Sequence, residues 1–202
     1  MATIVFVAIA YLVGSISFAV LTSRLFNLPD PRTYGSKNPG ATNVLRSGKK
    51  TVAALTLLGD TAKGWLAVYL AQRFAPQYGL DGATIMAVAL AVIAGHSFSV
   101  FLHFHGGKGV ATTGGVLFAI NLWLGLLTLA TWLIIAFVTR ISSLAALIAA
   151  ASTPFYAAYI FGWDIRSLAV LVICVFLIWR HQSNIRNLIA GTEPTFEKNK
   201  SS

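Results

Sequence analysis

Residues 106–139 read GGKGVATTGGVLFAINLWLGLLTLATWLIIAFVT, a glycine-rich turn that leads into a long uncharged run. A helix needs about 20 apolar residues to cross the hydrocarbon core of a bilayer. The uncharged run, Val110–Thr139, is therefore long for one crossing and short for two. Whether it crosses once or turns back decides how many spans the whole chain has.

The composition is that of an integral membrane protein. Of 202 residues, 56% are hydrophobic and 10% are charged, whereas soluble domains carry about 25% charged residues. The mean hydropathy is +0.74. The net charge of +9 favours cytoplasmic loops and anionic lipid headgroups as partners, rather than nucleic acid. The single cysteine, Cys174, lies in an apolar run and excludes a disulfide framework.

Apolar runs separated by polar segments predict the spans of an all-α membrane protein. Besides the run at 110–139, the predicted spans are Thr3–Thr22, Thr51–Tyr69, Ala83–Phe104, Leu144–Phe161 and Ser167–Trp179. Residues 1–190 form one polytopic domain in this interpretation, and residues 191–202 form a polar C-terminal tail that we expect to be frayed.

Positive charge indicates the topology, because cytoplasmic loops are enriched in Lys and Arg. If Val110–Thr139 turns back near Asn121, there are seven spans, and only Arg73 and Arg166 of the 15 Lys and Arg residues lie on the opposite side. If the run crosses once, there are six spans and the split is nine against six. We therefore predict a seven-span transmembrane helical bundle with its N-terminus outside and its C-terminus inside the cell.

This topology brings four polar segments to the cytoplasmic face of the bundle. They are the Ser23–Lys50 loop, the loop that contains Lys108, the Arg140–Ser143 turn and the region of His181. Polar segments that are distant in sequence and meet at one end of a bundle suggest a site. A transporter would instead place polar groups near the membrane midplane, often in inverted repeats, and the sequence shows no internal repeat.

The turn Gly106-Gly107-Lys108-Gly109 has the composition of a phosphate-binding loop. Glycines let backbone N–H groups converge on an anion, a following helix adds positive partial charge, and Lys108 adds a full charge. The turn is not a Walker A loop, because Leu102 stands where that motif requires glycine and Gly109 where it requires Ser or Thr. A flexible turn with a positive-inside lysine is the alternative interpretation.

The first loop, Ser23–Lys50, offers a second set of groups that suit a phosphate or a polyol. Residues 35–46 contain no carboxylate, are rich in short hydroxyl and amide side chains, and end in an arginine that can clamp a phosphate with two hydrogen bonds. The residues of this set are Ser36, Asn38, Thr42, Asn43 and Arg46. A polar surface turn is the alternative.

Three further features concern the end of the last span and the interior of the bundle. His181 and Asn184 are three residues apart and share a helical face, so His181 is a candidate general base or phosphate ligand, with a membrane-interface histidine as the alternative. Asp60 and Lys63 lie within a span and are expected to pair. His96 is expected to be a structural hydrogen-bonding residue. The histidines show no metal-binding pairing, and we predict neither a metal nor a cofactor.

Four motifs together resemble the bacterial acyl-phosphate:glycerol-3-phosphate acyltransferase (PlsY) family. Each motif alone is weak, but their order and spacing from the first span to about Leu188 are specific. The motifs are Gly35-Ser36-x-Asn38-Pro39-Gly40-Ala41-Thr42-Asn43, Gly95-His96, Phe104-x-Gly106-Gly107-Lys108-Gly109-Val110-Ala111-Thr112 and Arg180-His181-x-x-Asn184-Ile185.

The resemblance implies a seven-span enzyme of the bacterial inner membrane, with a periplasmic N-terminus, a cytoplasmic C-terminus and an active site that faces the cytoplasm. Such an enzyme moves a fatty acyl group from acyl phosphate to the 1-hydroxyl of glycerol 3-phosphate, the first acylation in bacterial phospholipid synthesis, without a metal or acyl-CoA. Its partners would be both substrates, membrane lipid and an enzyme that generates acyl phosphate.

The resemblance and the loop composition together define the predicted site. The predicted catalytic residues are Lys108, Ser143 and His181. The predicted substrate-binding residues are Ser36, Asn38, Thr42, Asn43, Arg46, Gly106, Gly107, Gly109 and Asn184. Two other classes remain open at this point, a membrane transporter of a phosphorylated lipid precursor and a non-catalytic lipid-binding or scaffold protein.

Overall fold

A computed structural model describes residues 1–196, and these residues form helices and no strands. The all-helical prediction is therefore confirmed for this part of the chain. Residues 197–202, which belong to the predicted tail, lie outside the described residues. The α-helices are α1 Ala2–Ser15, α2 Phe18–Leu25, α3 Ala41–Leu45, α4 Lys50–Phe74, α5 Gly82–Ser97, α6 Val110–Ile120, α7 Leu122–Thr139, α8 Ser142–Phe161, α9 Ile165–Arg180 and α10 Gln182–Ile189.

The first predicted span, Thr3–Thr22, is not one continuous helix. It breaks between α1 and α2, which meet at 41°. Ile16 has an extended backbone, and its carbonyl oxygen accepts a hydrogen bond of 2.6 Å from Nζ of Lys63. Ser17 caps α2 by accepting from the N–H of Val20 at 3.4 Å. A buried lysine on α4 thus satisfies a carbonyl that the broken helix leaves free.

The uncharged run at 110–139 turns back at Asn121, as its length and the charge pattern predict. Asn121 has an extended backbone, and its side chain accepts from the N–H of Leu124 at 3.1 Å to cap α7. A Cβ on Gly125 would lie only 2.5 Å from the ring of Phe118, so the two arms of the hairpin pack closely. Because α6 has 11 residues and is about 16 Å long, the helix itself covers only about half of a core of about 30 Å, and the loop before it must supply the rest of the crossing.

Two glycines bring the backbones of α4 and α6 into direct contact. A Cβ on Gly64 would lie 2.2 Å from the carbonyl oxygen of Thr112. A Cβ on Gly115 would lie 2.0 Å from the carbonyl oxygen of Thr61. This approach holds the short α6 against α4, while Val116 and Leu117 of α6 are buried in the two apolar clusters of the bundle.

Length and composition identify three helical segments that could span a membrane, Gly82–Leu102, Leu122–Thr139 and Ser142–Phe161. Up to five are found if the bent pairs α1 with α2 and α9 with α10 each count as one span. The helix α4 has 25 residues, but Asp60 and Lys63 interrupt its apolar surface. Large apolar side chains face outward, as lipid contact requires, and Phe137 is 74% exposed.

The α4–α6 contact predicts opposite effects for two adjacent glycines. Gly115→Ala places a methyl group against the Thr61 carbonyl, so we expect it to lower the free energy of unfolding by about 1–3 kcal/mol. Gly114→Ala meets no atom within 4 Å, and its better helix propensity should raise stability by up to about 1 kcal/mol. Thermal unfolding in detergent measures the stability of both variants. Equal melting temperatures for the two variants would contradict the α4–α6 contact.

Candidate active site

A cavity of about 640 Å³ opens between the first loop, α4, α6, α7, α8 and the junction of α9 and α10. All predicted site residues except Gly106 and Gly107 line it. Its polar end is formed by Ser36, Asn38, Thr42, Asn43, Arg46, Lys108, Gly109, Ser143, His181, Asn184 and Glu193. Its remaining walls are mostly apolar and include Leu57, Leu58, Phe118, Leu129, Trp132 and Leu133, although Asp60 and His96 also line the cavity.

Asn43 organises the first loop. Its Oδ1 accepts from the N–H of Ser36 at 3.0 Å, and its Nδ2 donates to the carbonyls of Pro31 at 2.7 Å and Tyr34 at 3.2 Å. The side chain is therefore engaged within the loop, and the substrate-binding role of Asn43 stays a prediction. Its hydrogen bonds fold the chain so that the exposed Ser36 lies at the cavity.

Thr42 joins the first loop to α8. Its Oγ1 lies 3.1 Å from Oγ of Ser142, the residue before Ser143. This hydrogen bond places the loop and the start of α8 on the same side of the cavity. Arg46 closes α3 and reaches the same space, so its guanidinium is available at the polar end.

The amides of Gly106 and Gly107, the first two residues of the predicted nest, are engaged by other backbone groups, and their role in substrate binding stays a prediction. The N–H of Gly106 donates to the carbonyl of Ser97 and that of Gly107 to the carbonyl of His96, both at 3.1 Å. These amides tie the loop to the end of α5, and neither glycine lines the cavity. Gly109 does line it, has φ +89°, and precedes the first turn of α6, whose N-terminal amides provide the positive partial charge.

Arg180 fixes the same loop from the opposite side. One guanidinium nitrogen donates to the carbonyls of Gly106 at 3.3 Å and Gly107 at 3.1 Å. The guanidinium also lies 5.3 Å from the ring centroid of Phe98, within the range of a cation–π contact. The motif contains Arg180, but its spacing alone did not indicate this clamp.

Glu193 connects three predicted site residues, although the sequence assigned it to a separate tail. Its Oε1 accepts from Oγ of Ser143 and from Nδ2 of Asn184, each at 2.6 Å. The other amide atom of Asn184, Oδ1, accepts from Nζ of Lys108. One carboxylate therefore draws Ser143, Asn184 and Lys108 into a single network. The one signal in the sequence is that Glu193 is one of only six acidic residues in a strongly basic chain.

The tail itself folds back onto the bundle as far as Phe196. The N–H of Phe196 donates to the carbonyl of Arg140 at 2.8 Å, and its ring lies 6.4 Å from that of Trp132. Glu193, Pro194 and Phe196 all line the cavity. Residues 191–196 thus contact the bundle beside the cavity, and the boundary of the polar tail at residue 191 stays a prediction.

Lys108 lies among charges that act on its ammonium group in opposite directions. Burial lowers its pKa below the usual lysine value. Glu193 raises the pKa, and Arg46 and Arg180 lower it through like-charge repulsion. Its neighbours therefore control how readily Lys108 keeps the charge that a phosphate would contact.

The ring of His181 has a defined tautomer. Nδ1 lies 2.8 Å from the carbonyl oxygen of Leu177, and a carbonyl can only accept, so Nδ1 carries the proton. In the neutral ring Nε2 is then an acceptor, as a general base requires. His181 is only 2% exposed and lines the cavity. Within residues 1–196, no group of three or more His, Cys, Asp or Glu side chains could hold a metal ion.

Comparison with known proteins identifies the family. The family model described as "Glycerol-3-phosphate acyltransferase" matches residues 4–191. The chain belongs to the glycerol-3-phosphate acyltransferase family. It is 58% identical over 193 residues to a glycerol-3-phosphate acyltransferase of Nitrosospira multiformis and 60% identical over 193 residues to one of a Janthinobacterium species, with 96% of each chain covered in both cases.

Solved structures confirm the resemblance that the motifs indicate. The glycerol 3-phosphate form of PlsY, an integral membrane glycerol 3-phosphate acyltransferase, matches with a TM-score of 0.89 and 34% identity over 98% of this chain and 96% of that one. Its lysophosphatidic acid form matches with a TM-score of 0.86 and 33% identity over 96% and 95%. This family member is thus an all-helical integral membrane acyltransferase.

The charges around Lys108 predict two shifts of opposite sign. Glu193→Gln keeps an oxygen that Ser143 and Asn184 can donate to but removes the negative charge, so the pKa of Lys108 should fall. Arg46→Gln removes a repelling charge, so the pKa should rise. The pH dependence of Lys108 acylation by an amine reagent, read by peptide mass spectrometry, measures both. Shifts of the same sign would contradict this electrostatic arrangement.

Proposed function

We propose that this acyltransferase transfers a fatty acyl group from acyl phosphate to the 1-hydroxyl of glycerol 3-phosphate, which yields lysophosphatidic acid and inorganic phosphate. The observation that carries the proposal is one cavity with cationic groups at one end and apolar walls elsewhere. Both substrates have a phosphate, and one has a fatty chain. The solved PlsY relatives, in glycerol 3-phosphate and lysophosphatidic acid forms, support the acceptor and the product.

The polar end offers separate groups for the two phosphates. We assign glycerol 3-phosphate to Ser36, Arg46 and Asn184, because an arginine beside hydroxyl and amide groups suits a phosphate with a polyol. We assign the phosphate of the donor to Lys108 and the N-terminus of α6, which begins after Gly109. Ser143, whose hydroxyl donates to Glu193, is placed to donate to the departing phosphate.

The acyl chain fits the apolar part of the cavity. The short α6 ends at Ile120, so α4 and α7 are not separated by a full-length helix, and Leu58 and Leu133 line the resulting space. Burial of a methylene group contributes about 0.8 kcal/mol, so this wall supplies binding energy in proportion to chain length. The reacting carbonyl would then lie where the apolar wall meets Lys108.

The reaction needs no covalent intermediate with the protein. Acyl phosphate is a mixed anhydride, so attack by the 1-hydroxyl forms an ester bond and releases phosphate as a good leaving group. The main tasks are positioning and stabilisation of charge on that phosphate. We assign the hydroxyl proton to Nε2 of His181. In the rival route an oxygen of the donor's own phosphate takes the proton, and His181 is a ligand.

We further propose seven spans in the bacterial inner membrane, with a periplasmic N-terminus, a cytoplasmic C-terminus and the cavity's polar end at the cytoplasm. The hairpin at Asn121 supports an odd number of spans, and the asymmetry of Lys and Arg supports the orientation. A cytoplasmic site is accessible to soluble glycerol 3-phosphate. A membrane-associated enzyme that makes acyl phosphate would supply the donor.

Two substitutions test the assigned roles in purified enzyme. Loss of a charge-assisted phosphate contact costs about 1.5–3 kcal/mol, so Lys108→Ala should lower kcat/KM roughly 10- to 150-fold. The exposed Lys49→Ala, outside the cavity, is the matched control and should behave as wild type. Lys108→Ala with wild-type turnover would refute the donor-phosphate role. His181→Ala that raises KM but spares kcat would favour the rival route.

The same assay separates the function classes. Phosphate release should require glycerol 3-phosphate together with acyl phosphate, and acyl-CoA or acyl carrier protein offered as donors should not replace acyl phosphate. A transporter would move substrate across proteoliposomes without acyl transfer. A lipid-binding or scaffold protein would bind acyl phosphate and release no phosphate in response to the acceptor.

Topology is tested by single cysteines on a Cys174→Ala background. Lys49→Cys and Arg140→Cys should react with an impermeant thiol reagent from the cytoplasmic side, and Gln77→Cys should react from the periplasmic side, since all three positions are exposed. Labelling of residues 49 and 140 from opposite sides would indicate that 110–139 crosses once, and the seven-span topology would then be wrong.

A further inference from the structure

Asp60, Lys63 and His96 form a buried cluster to which the proposed reaction gives no role. Nζ of Lys63 lies 2.7 Å from Oδ1 of Asp60, and Nδ1 of His96 lies 3.5 Å from the same oxygen. The three residues are 2%, 4% and 7% exposed, in that chain order. Replacing a buried ion pair by apolar residues is often neutral or stabilising, so stability alone does not explain these charges.

His96 is also the residue against which the Lys108 loop rests. Its carbonyl accepts from the N–H of Gly107 at 3.1 Å. Its Nε2 lies 2.2 Å from the position that a Cβ on Gly107 would occupy, and the carbonyl oxygen of Pro39 lies 3.1 Å from the same position. Gly107 therefore fills the narrow space between His96 and the first loop. A rotated His96 ring would move Gly107.

The His96 ring faces Asp60, with Nδ1 of His96 3.5 Å from Oδ1 of Asp60. Among residues 1–196, Nδ1 of His96 has no hydrogen-bond partner, and the carboxylate of Asp60 is the acidic group that it faces. Asp60 is held in turn by Lys63, which also donates to the carbonyl of Ile16. A carboxylate that orients an imidazole is a common arrangement behind functional groups.

We propose that Asp60 is a positioning residue that acts through His96 and Gly107 on Lys108. Lys108 directly follows Gly107, so a shift of the loop displaces its ammonium group. Arg180 holds the carbonyl side of the loop, and His96 supports the Cα of Gly107 on the other side. Asp60 and His96 also line the cavity, and in this proposal Asp60 acts on the donor-phosphate site through the loop rather than as a substrate ligand. The effect on turnover rests on the proposed function, whereas the effect on Lys108 does not.

The test uses the full-length protein in detergent and the double variant D60N/K63M. Removal of both charges leaves no unpaired buried ion, but it also removes the donor to the carbonyl of Ile16, so thermal unfolding of this variant is measured first. The matched control is T56V on the same helix, which loses a buried hydrogen bond of 2.7 Å to Thr22 away from the cavity. Two quantities are measured. One is kcat/KM for acyl phosphate, and the other is the rate at which an amine-reactive chemical reagent modifies Lys108, relative to the exposed Lys49 in the same molecule.

We expect the double variant to lose about 100-fold in kcat/KM, because a misplacement of about 1 Å can cost that much. The Lys108-to-Lys49 ratio should change severalfold, and T56V should change neither quantity. D60E keeps both charges but moves the carboxylate, so it should change kcat/KM and the Lys108-to-Lys49 ratio in the same directions as the double variant, but by less. If the double variant does not fold, D60E provides the test.

An unchanged ratio in folded D60N/K63M or D60E would overturn the proposal, whatever happens to turnover. A changed ratio with wild-type kcat/KM would also overturn it, because Lys108 would then not depend on Asp60 for its function. If wild-type enzyme shows no acyl transfer, the proposed function fails, and the ratio still reports whether Asp60 positions the loop.

Discussion

The length of α6 is the constraint on which the site depends. Eleven helical residues cover only about half of a bilayer core, so the Lys108 loop before α6 has to lie within the bundle. The C-terminal end is satisfied by the turn at Asn121, and the close packing of Gly64 and Gly115 keeps the helix against α4. Its N-terminus is then held inside the bundle beside Lys108. The short helix thus leaves an apolar space that a full-length helix would fill, and it brings the cationic groups to one end of that space.

Hydrogen bonds to backbone groups hold the loops at the polar end of the cavity in place. Asn43 folds the first loop, and the carbonyls of His96 and Ser97 take the amides of the glycine loop. Arg180 takes that loop's carbonyls. Some conspicuous motif residues, such as Asn43, Gly107 and Arg180, therefore build the frame, although most of the predicted site residues line the cavity. A motif can thus combine residues that hold the loops in place with residues that border the cavity.

Much of the architecture follows from local sequence. Apolar runs determined the helices, and charge asymmetry together with the length of 110–139 located the turn at Asn121. The convergence of the first loop, Lys108, Ser143 and His181 followed from topology alone. Three features did not follow, because they depend on contacts across the bundle. The break at Ile16 needs Lys63 of another helix, the glycine amides have partners on α5, and Glu193 returns from beyond α10.

The return of Glu193 has a consequence for how the pocket behaves between turnovers. Its carboxylate already occupies the hydrogen-bonding groups of Ser143 and Asn184, and its charge already opposes that of Lys108. In the proposed reaction, an incoming phosphate would therefore replace the Glu193 carboxylate beside these groups. Such a resident anion lets a protein of net charge +9 keep a desolvated cluster of positive groups without recruiting an anion from the lipid surface.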